Sequence, residues 1–314
     1  MTRAFVFPGQ GSQAVGMGQD LAAAFPAARQ VFEEIDEALQ QNLSRLMKEG
    51  PESDLTLTEN AQPALMAVSL AVVRVLESES GKKLSAMASY VAGHSLGEYS
   101  ALCAAGAFTV ADAARLLKRR GQAMQRAVPV GAGAMAALLG IELEPAQEAC
   151  KEAAEGQVVA VANDNGGGQV VISGHKEAVD RAIKAAQAKG CKRGMLLPVS
   201  APFHCSLMQP AADEMAEALA SVTLAPPSVP VIANVKASDT SDPDTIRKLL
   251  VQQVTGLVRW RESVLFMKSH DVGTLVELGA GKVLSGLVRR IDKEMTGTAV
   301  NGPADIEAFL KTVA

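Results

Sequence analysis

A serine between two glycines is the first feature of this sequence that could carry out chemistry. Ser95 lies in the segment GHSLG at 93–97, directly after a short apolar run. Such a segment is typical of the nucleophile elbow, in which glycines permit a tight turn from a strand into a helix with the serine hydroxyl at its tip. The helix N-terminus and the backbone N–H of Leu96 would then lie where a tetrahedral oxyanion forms. A glycine-rich turn without a catalytic role fits the same five residues, so a nucleophile elbow and a non-catalytic turn are both open interpretations at this point.

A serine nucleophile needs a base, and the sequence contains four histidines. His94 adjoins the serine, but neighbouring side chains on a turn usually diverge. His175 precedes a helix and His270 ends one, so both have the character of surface residues. His204 lies in a loop held by Pro202 and follows the serine in chain order, as the base does in α/β-hydrolases. We therefore expect His204 to be the base, with a structural role for this loop histidine as the alternative.

One arginine lies on the apolar side of a helix predicted over 110–127. On a wheel of 3.6 residues per turn, Arg120 falls within the apolar arc, whereas the other basic residues of the helix fall opposite. A buried, unpaired guanidinium is costly, so Arg120 must find a carboxylate of the protein or an anion of a ligand. An internal salt bridge or a side chain that reaches back to solvent is one interpretation, and a bidentate clamp for a substrate carboxylate is the other.

Two segments look like phosphate-binding motifs but lack required residues. The pattern Gly9-x-Gly11-x-x-Ala14 resembles a dinucleotide fingerprint, yet no acidic residue follows a second strand at the required distance. The segment GAGK at 279–282 resembles a P-loop, but Val276 replaces the first glycine and Val283 replaces the Ser or Thr after lysine. We interpret both as turns.

The composition limits the class of protein. The chain has 314 residues, of which 48% are hydrophobic and 20% charged, and no apolar run reaches the length of a membrane span. A net charge of -4 argues against nucleic acid as the main ligand. The four cysteines form no CxxC pair, so neither a metal site nor a disulfide framework is indicated. Without an apolar signal segment near its start, the protein is expected in the cytoplasm.

Helical and strand patterns alternate along the chain and predict an α/β fold that resembles the α/β-hydrolases, with a smaller inserted subdomain. Residues 1–127 and 200–314 are expected to form the large catalytic subdomain. Residues 128–199 carry the order β-α-β-β-α-β of the ferredoxin-like motif. In this small subdomain we predict strands near 134–139 and 195–199 and a hairpin whose turn is the segment NDNGGG at 163–168.

Four separated motifs resemble those of the malonyl-CoA:acyl carrier protein transacylase family. They are FPGQGSQ at 7–13, GHSLGEYSA at 93–101, Arg120-Gly121 with Met124, and Phe203-His204. They occur in family order over essentially the whole chain, and the ferredoxin-like insertion lies where the family has its small subdomain. The resemblance implies Ser95 as nucleophile, His204 as base and Arg120 as partner of the malonyl carboxylate.

The resemblance also implies the residues around this core. The backbone N–H groups of Gln10 and Leu96 would form the oxyanion hole, and Met124 and Phe203 would contact the substrate. A backbone carbonyl orients the histidine in this family, and the corresponding residue is similar to Gln253 here. The segment Thr255-Gly256-Leu257 stands where an Asn-Pro element is more usual.

The implied reaction moves malonyl from malonyl-CoA to the phosphopantetheine thiol of acyl carrier protein through an acyl-serine, with no cofactor and no metal. The carrier could serve fatty-acid or polyketide synthesis, and the enzyme is expected to be a monomer that binds neither nucleic acid nor membrane. An esterase of α/β-hydrolase type is the rival enzyme, although it would need an acid to orient His204 and has no use for Arg120. A non-catalytic module that docks carrier proteins is the rival from another class.

Overall fold

The computed structural model describes residues 2–313, and its strands form two sheets. The strands are β1 (Thr2–Phe7), β2 (Tyr90–Gly93), β3 (Gly133–Leu139), β4 (Val159–Gly166), β5 (Gln169–His175), β6 (Arg193–Leu196), β7 (Val231–Ala233), β8 (Ser238–Thr240), β9 (Val272–Leu278) and β10 (Thr296–Val300). Among these strands the larger sheet has the order β10-β9-β1-β2-β7-β8 and the smaller sheet the order β4-β5-β3-β6. The smaller sheet is therefore inserted between two neighbouring strands of the larger one, β2 and β7.

Strand β1 occupies the middle of the larger sheet because it is apolar on both faces. Ala4 and Val6 pack into one apolar cluster, and Phe5 and Phe7 pack into another on the opposite face, as the two-residue period of a strand requires. Strand β1 pairs in parallel with β2 and β9, and of the described strands in this sheet only β8 runs antiparallel. Phe7 lies opposite Gly93. The loops after β1, β2 and β7 consequently meet at one edge of the sheet.

Helices cover both faces of the larger sheet and one face of the smaller one. They are α1 (Gln19–Ala24), α2 (Pro26–Leu39), α3 (Leu43–Glu49), α4 (Glu52–Thr56), α5 (Thr58–Ser80), α6 (Leu84–Met87), α7 (Gly97–Ala104), α8 (Val110–Arg126), α9 (Leu143–Ala153), α10 (Lys176–Ala188), α11 (Gln209–Ala220), α12 (Pro243–Thr255), α13 (Trp260–Ser269), α14 (Val283–Ile291) and α15 (Pro303–Leu310). A 3₁₀ turn, Ser206–Met208, leads into α11.

Helix α5 is the one helix within residues 2–313 that is long and apolar enough to cross a membrane. Length and composition alone give this result, and the core helix of a globular protein passes the same test. In the structure 83% of its apolar window is buried inside the protein, where α2 and α8 pack against it. Helix α5 therefore serves as a core helix of the larger subdomain.

The smaller sheet confirms the predicted α/β fold class with a ferredoxin-like insertion. Its elements follow the order β3-α9-β4-β5-α10-β6, and all of its described strand pairs are antiparallel. The boundaries 1–127, 128–199 and 200–314 stay predictions.

Two details of the smaller sheet were predicted wrongly. Residues 163–165 belong to β4 rather than to the hairpin turn, which consists of Gly167 and Gly168. These two glycines have φ values of 60° and 72°, a conformation that allows the turn to be this tight. Strand β6 covers Arg193–Leu196 rather than 195–199. Pro198 follows shortly and has no N–H to donate, which explains why pairing ends early.

Candidate active site

The turn that carries Ser95 can exist only with glycine on either side. A Cβ at Gly93 would lie 1.8 Å from the carbonyl oxygen of Gly97, and a Cβ at Gly97 would lie 2.3 Å from the carbonyl oxygen of Phe7. Ser95 itself has a φ of 54°, in the left-handed region that non-glycine residues rarely occupy. The turn is the tight strand-to-helix elbow that the sequence predicts, and the start of α7 lies close against the end of β1.

His204 is the histidine in contact with Ser95. Its Nε2 lies 2.7 Å from Ser95 Oγ, and its Nδ1 lies 2.9 Å from the backbone carbonyl of Gln253 and 3.2 Å from that of Gly256. Because both carbonyls can only accept, Nδ1 carries the proton and Nε2 is free to accept one from the serine. Gln253 thus stands where the sequence analysis placed it, and Gly256, part of the unusual Thr255-Gly256-Leu257 segment, adds a second acceptor.

The imidazole of His204 is neutral in the folded protein. Its side chain is buried, and burial together with the nearby cation of Arg120 lowers the pKa of His204 to about 3. A neutral imidazole is the form that can take a proton from a hydroxyl or a thiol.

The other three histidines do not contact the serine hydroxyl. His94 points away from it and lies 2.9 Å from Asn165 Oδ1 on β4. His175 Nδ1 accepts from the backbone N–H of Val158, and His270 is stacked on Phe266.

Arg120 is almost completely buried, with 1% of its surface exposed. Its Nη1 donates to Gln62 Oε1 at 2.8 Å, and its Nη2 donates to Gln253 Oε1 at 2.9 Å and to Ser95 Oγ at 3.2 Å. Within residues 2–313 it makes no ion pair, so neither the internal salt bridge nor the side chain that reaches solvent describes it. The structure instead places a cation beside the serine with only neutral oxygens as hydrogen-bond partners.

Part of the arginine's hydrogen-bonding capacity is unused. Among the described residues, Arg120 Nε and the buried hydroxyl of Tyr99 have no hydrogen-bond partner. The guanidinium lies 5.7 Å from the centre of the Tyr99 ring, close enough for a cation–π contact. Burial lowers the pKa of Arg120 and raises that of Tyr99 to about 12, so the two groups face each other as a cation and a neutral phenol.

The two backbone groups expected to form an oxyanion hole are free to donate. Within residues 2–313, neither the N–H of Gln10 nor that of Leu96 has an acceptor. Gln10 is held by its side chain, whose Nε2 lies 3.3 Å from Thr58 Oγ1. The loop that carries it follows β1, and a Cβ on Gly9 would lie 2.9 Å from the carbonyl oxygen of His94. This loop therefore packs against the elbow.

The remaining predicted site residues lie around this network. Met124 is buried, and its Sδ lies 3.7 Å from Gln62 Nε2, beside the amide that holds Arg120. Phe203 is buried in the large apolar cluster directly before His204. The GAGK segment at 279–282 is the turn between β9 and α14, and Gly279 has a φ of 128°.

Three polar residues of the site were not assigned a role from the sequence. Asn234 Oδ1 accepts from the backbone N–H of Ser95 at 2.8 Å, and its Nδ2 donates to the carbonyl of Gly93 at 2.6 Å. Gln62 holds Arg120, and Glu98 is buried beneath the elbow. Asn234 could have been found from its position, since it directly follows β7 at the edge where the loops meet. A Gln in the apolar helix α5 was the only signal for Gln62.

The comparisons with known proteins agree with this site. Residues 4–301 match the family model described as acyl transferase domain. The malonyl CoA-acyl carrier protein transacylase of Escherichia coli strain K12 is 49% identical, and the match covers 98% of both chains. The acyl-carrier-protein S-malonyltransferase of Bartonella henselae is 56% identical in a crystal structure with a TM-score of 0.97, covering 100% of this chain and 99% of that one.

A third protein, a malonyl-transacylase solved in complex with its type II PKS acyl-carrier protein, is 46% identical with a TM-score of 0.96, covering 99% of this chain and 100% of that one. The fold, the elbow and the full-length matches define an acyltransferase. The chain belongs to the malonyl CoA-acyl carrier protein transacylase family.

Proposed function

We propose that this protein transfers the malonyl group of malonyl-CoA to the phosphopantetheine thiol of acyl carrier protein through an ester on Ser95. The observation that carries the proposal is the position of Arg120. A buried cation without a carboxylate partner among the described residues, 3.2 Å from the nucleophilic oxygen, fits an acyl group that brings its own carboxylate. Malonyl is such a group, and it is short enough for its thioester carbon to be at Ser95 while its carboxylate is at Arg120.

The first half-reaction forms the acyl-enzyme. His204 Nε2 takes the proton of Ser95 Oγ as this oxygen attacks the thioester carbon. The resulting oxyanion is bound by the N–H groups of Gln10 and Leu96. When the carbon–sulfur bond breaks, the leaving thiolate receives the proton from Nε2 and departs as coenzyme A, leaving a malonyl ester on Ser95 and a neutral His204.

The second half-reaction runs the same steps with the carrier. His204 takes the thiol proton of phosphopantetheine, the sulfur attacks the ester carbon, and Ser95 Oγ leaves and regains its proton. One base thus serves both exchanges, which gives ping-pong kinetics. Each proton is moved by His204, so the mechanism calls for neither a cofactor nor a metal. We propose that the protein acts as a cytosolic monomer.

The experiment is to incubate the protein with malonyl-CoA and holo acyl carrier protein and to follow the carrier by mass spectrometry. We expect the carrier to gain one malonyl group, and we expect a malonyl adduct on Ser95 when the carrier is left out. A Ser95→Ala variant is the control and should form neither product. Free malonate without acylated carrier would indicate an esterase, and an inert Ser95 would indicate a docking module.

A further inference from the structure

A buried carboxyl group lies beneath the elbow, and the mechanism above does not use it. Glu98 is in the first turn of α7 and is 1% exposed. Its Oε2 accepts two hydrogen bonds, from the backbone N–H of Asn234 at 3.0 Å and from Gln253 Nε2 at 2.8 Å. Both donors belong to residues that hold the reacting groups. A carboxyl group is costly to bury, so its position requires an explanation.

We propose that Glu98 is a positioning residue for the reaction at Ser95. One of its carboxylate oxygens, Oε2, accepts hydrogen bonds from both Asn234 and Gln253. These two residues in turn hold the serine, the arginine and the histidine. Through Asn234, Glu98 reaches the main chain on both sides of the elbow, the N–H of Ser95 and the carbonyl of Gly93. The inference rests on the proposed function, in which Ser95 is the nucleophile.

The effect on Arg120 follows from the orientation of one amide. The two nearest acceptors of Gln253 Nε2 are Glu98 Oε2 at 2.8 Å and the carbonyl oxygen of Ser95 at 3.0 Å, with Asn234 Oδ1 farther away at 3.5 Å. An NH₂ group satisfies two acceptors, so Gln253 Oε1 must point the other way, where it accepts from Arg120 Nη2. If Glu98 were absent, the amide would lose one of the two bonds that set this orientation. The backbone carbonyl of the same Gln253 orients His204.

Glu98 also places a negative charge near the buried guanidinium. The two charges are bridged by the Gln253 amide rather than paired directly, which leaves Arg120 available to a substrate carboxylate. The titratable and charged groups that face Glu98 from the surrounding elements are Arg120 and Tyr99, with His204 and His94 in the same site. Burial raises the pKa of Glu98 to about 7, against the weaker opposing effects of Asn234, Gln253 and Arg120. The charge that holds the network is therefore lost as the pH falls through about 7.

The test is the pH dependence of the reaction of Ser95 with a fluorophosphonate, a probe that carries no titratable group. We expect the labelling rate of the wild-type protein to rise with pH and to level off, with a midpoint near pH 7. In Glu98→Gln the plateau should fall by about tenfold, since the amide keeps an acceptor oxygen but loses the charge that roughly doubles the strength of each bond. The midpoint near 7 should disappear from this variant.

The matched control is Glu277→Gln. Glu277 is also buried, and burial also raises its pKa, but its carboxylate contacts Ser285 at the start of α14 and none of the site residues. This variant should keep the wild-type rate and midpoint. Glu98→Asp keeps the carboxylate but shortens the side chain, so it should shift the midpoint of the labelling rate. This variant still tests the proposal if Glu98→Gln does not fold.

The outcomes separate the two proposals. A wild-type profile without a midpoint between pH 6 and 8, or the same midpoint in the wild type and both Glu98 variants, would overturn the role of Glu98. If either of these results were found while the wild-type protein still transferred malonyl, the proposed function would stand and only the role of Glu98 would be rejected. Absence of both labelling and transfer in the wild type would instead reject the proposed function.

Discussion

Arg120 Nη2 donates a hydrogen bond to Ser95 Oγ, the same oxygen that lies 2.7 Å from His204 Nε2. A single oxygen therefore contacts both an imidazole and a buried cation. In the proposed mechanism the imidazole deprotonates this oxygen, and the cation stabilises the negative charge on it and binds the carboxylate of the acyl group. Reactivity and acyl selectivity would then depend on the same guanidinium.

Replacing Arg120 with alanine should reduce malonyl transfer far more than acetyl transfer. Only malonyl presents a carboxylate to the missing guanidinium, and removing one partner of a buried charge pair costs about 2 to 5 kcal/mol. The measurement is kcat/KM for malonyl-CoA and acetyl-CoA in each protein. Arg126→Ala is the matched control, because this arginine lies on the same helix, largely exposed and paired with Glu214. Equal losses for both acyl groups would refute the carboxylate clamp.

Replacing His204 with alanine should slow both half-reactions, because one base serves both exchanges. The loss should be on the order of 10⁶-fold, comparable with that of other serine–histidine enzymes. Single-turnover acylation by malonyl-CoA, and deacylation by carrier protein, measure the two steps separately. His270→Ala, on the surface, is the control. Near-normal acylation in His204→Ala together with its loss in His94→Ala would show that the wrong histidine was chosen.

Replacing Phe203 with serine should relax the preference for malonyl over methylmalonyl. Phe203 directly precedes His204 and is buried, and we expect its ring to narrow the space beside the malonyl α-carbon, where an added methyl group would have to fit. One methyl group in a tight pocket is worth roughly 1 to 3 kcal/mol, so the wild-type preference should be about tenfold to two-hundredfold. Competition between the two coenzyme A esters gives the ratio. An unchanged ratio in the variant would mean that Phe203 only packs the loop.

Glu98 should make the protein less stable as the pH rises. Its pKa is about 7 in the folded protein against an ordinary value of 4.5, so the folded state binds more protons between these values. Its contribution to stability is complete below pH 4.5 and is lost as the pH rises through 7. Glu98→Gln should therefore gain roughly 1 to 3 kcal/mol relative to wild type between pH 5 and pH 8 in urea unfolding. A pH-independent difference between Glu98→Gln and the wild type would contradict the assignment.

Carrier protein should dock on a local basic surface, since acyl carrier proteins are typically acidic. Lys184, Lys192 and Arg193 in the small subdomain are exposed, and no ion pair within the described part of the chain involves them. Lys189 in the same subdomain is paired with Glu148 and Glu152 and serves as the control. Charge reversal at Lys192 and Arg193 should raise the apparent KM for carrier in a salt-dependent way, with little change for malonyl-CoA. An unchanged carrier KM would place the docking surface elsewhere.

The sequence singles out the three side chains that meet at the elbow, but not the groups that hold them. Ser95 and Arg120 stand out because each breaks a local rule, a serine in a glycine turn and a charge on an apolar helix face. His204 was chosen by elimination among four histidines. Their catalytic roles stay predictions. Gln62 breaks no such rule, since a single amide on a helix is common, and Asn234 is marked only by its position directly after β7. Their roles depend on which chain segments meet in three dimensions, which local patterns do not specify.

For the fold, the sequence predicts which elements exist better than where the strands end. The strands β1 and β2 and the ferredoxin-like order were predictable, because buried strands and alternating helices leave strong periodic signals. The turn of the small-subdomain hairpin was placed too early, because Asn and Asp favour turns in general and the pairing partner of β4 was unknown. The end of β6 was placed too late, because the apolar pattern continues past the last residue that pairs. In both cases strand pairing determined the result.

The insertion of the small subdomain between β2 and β7 has a consequence for how the protein folds. The contact between Ser95 and His204 joins residues 109 positions apart in the chain, and the contact between Ser95 and Gln253 spans 158 positions. Closing such long loops is entropically unfavourable until the intervening chain is itself ordered. Ser95 and Arg120 precede the insertion in the chain, and His204 and Gln253 follow it, so a chain in which these two parts have not yet joined would be catalytically silent. The long intervening insertion therefore makes catalytic competence depend on the joining of two distant parts of the chain.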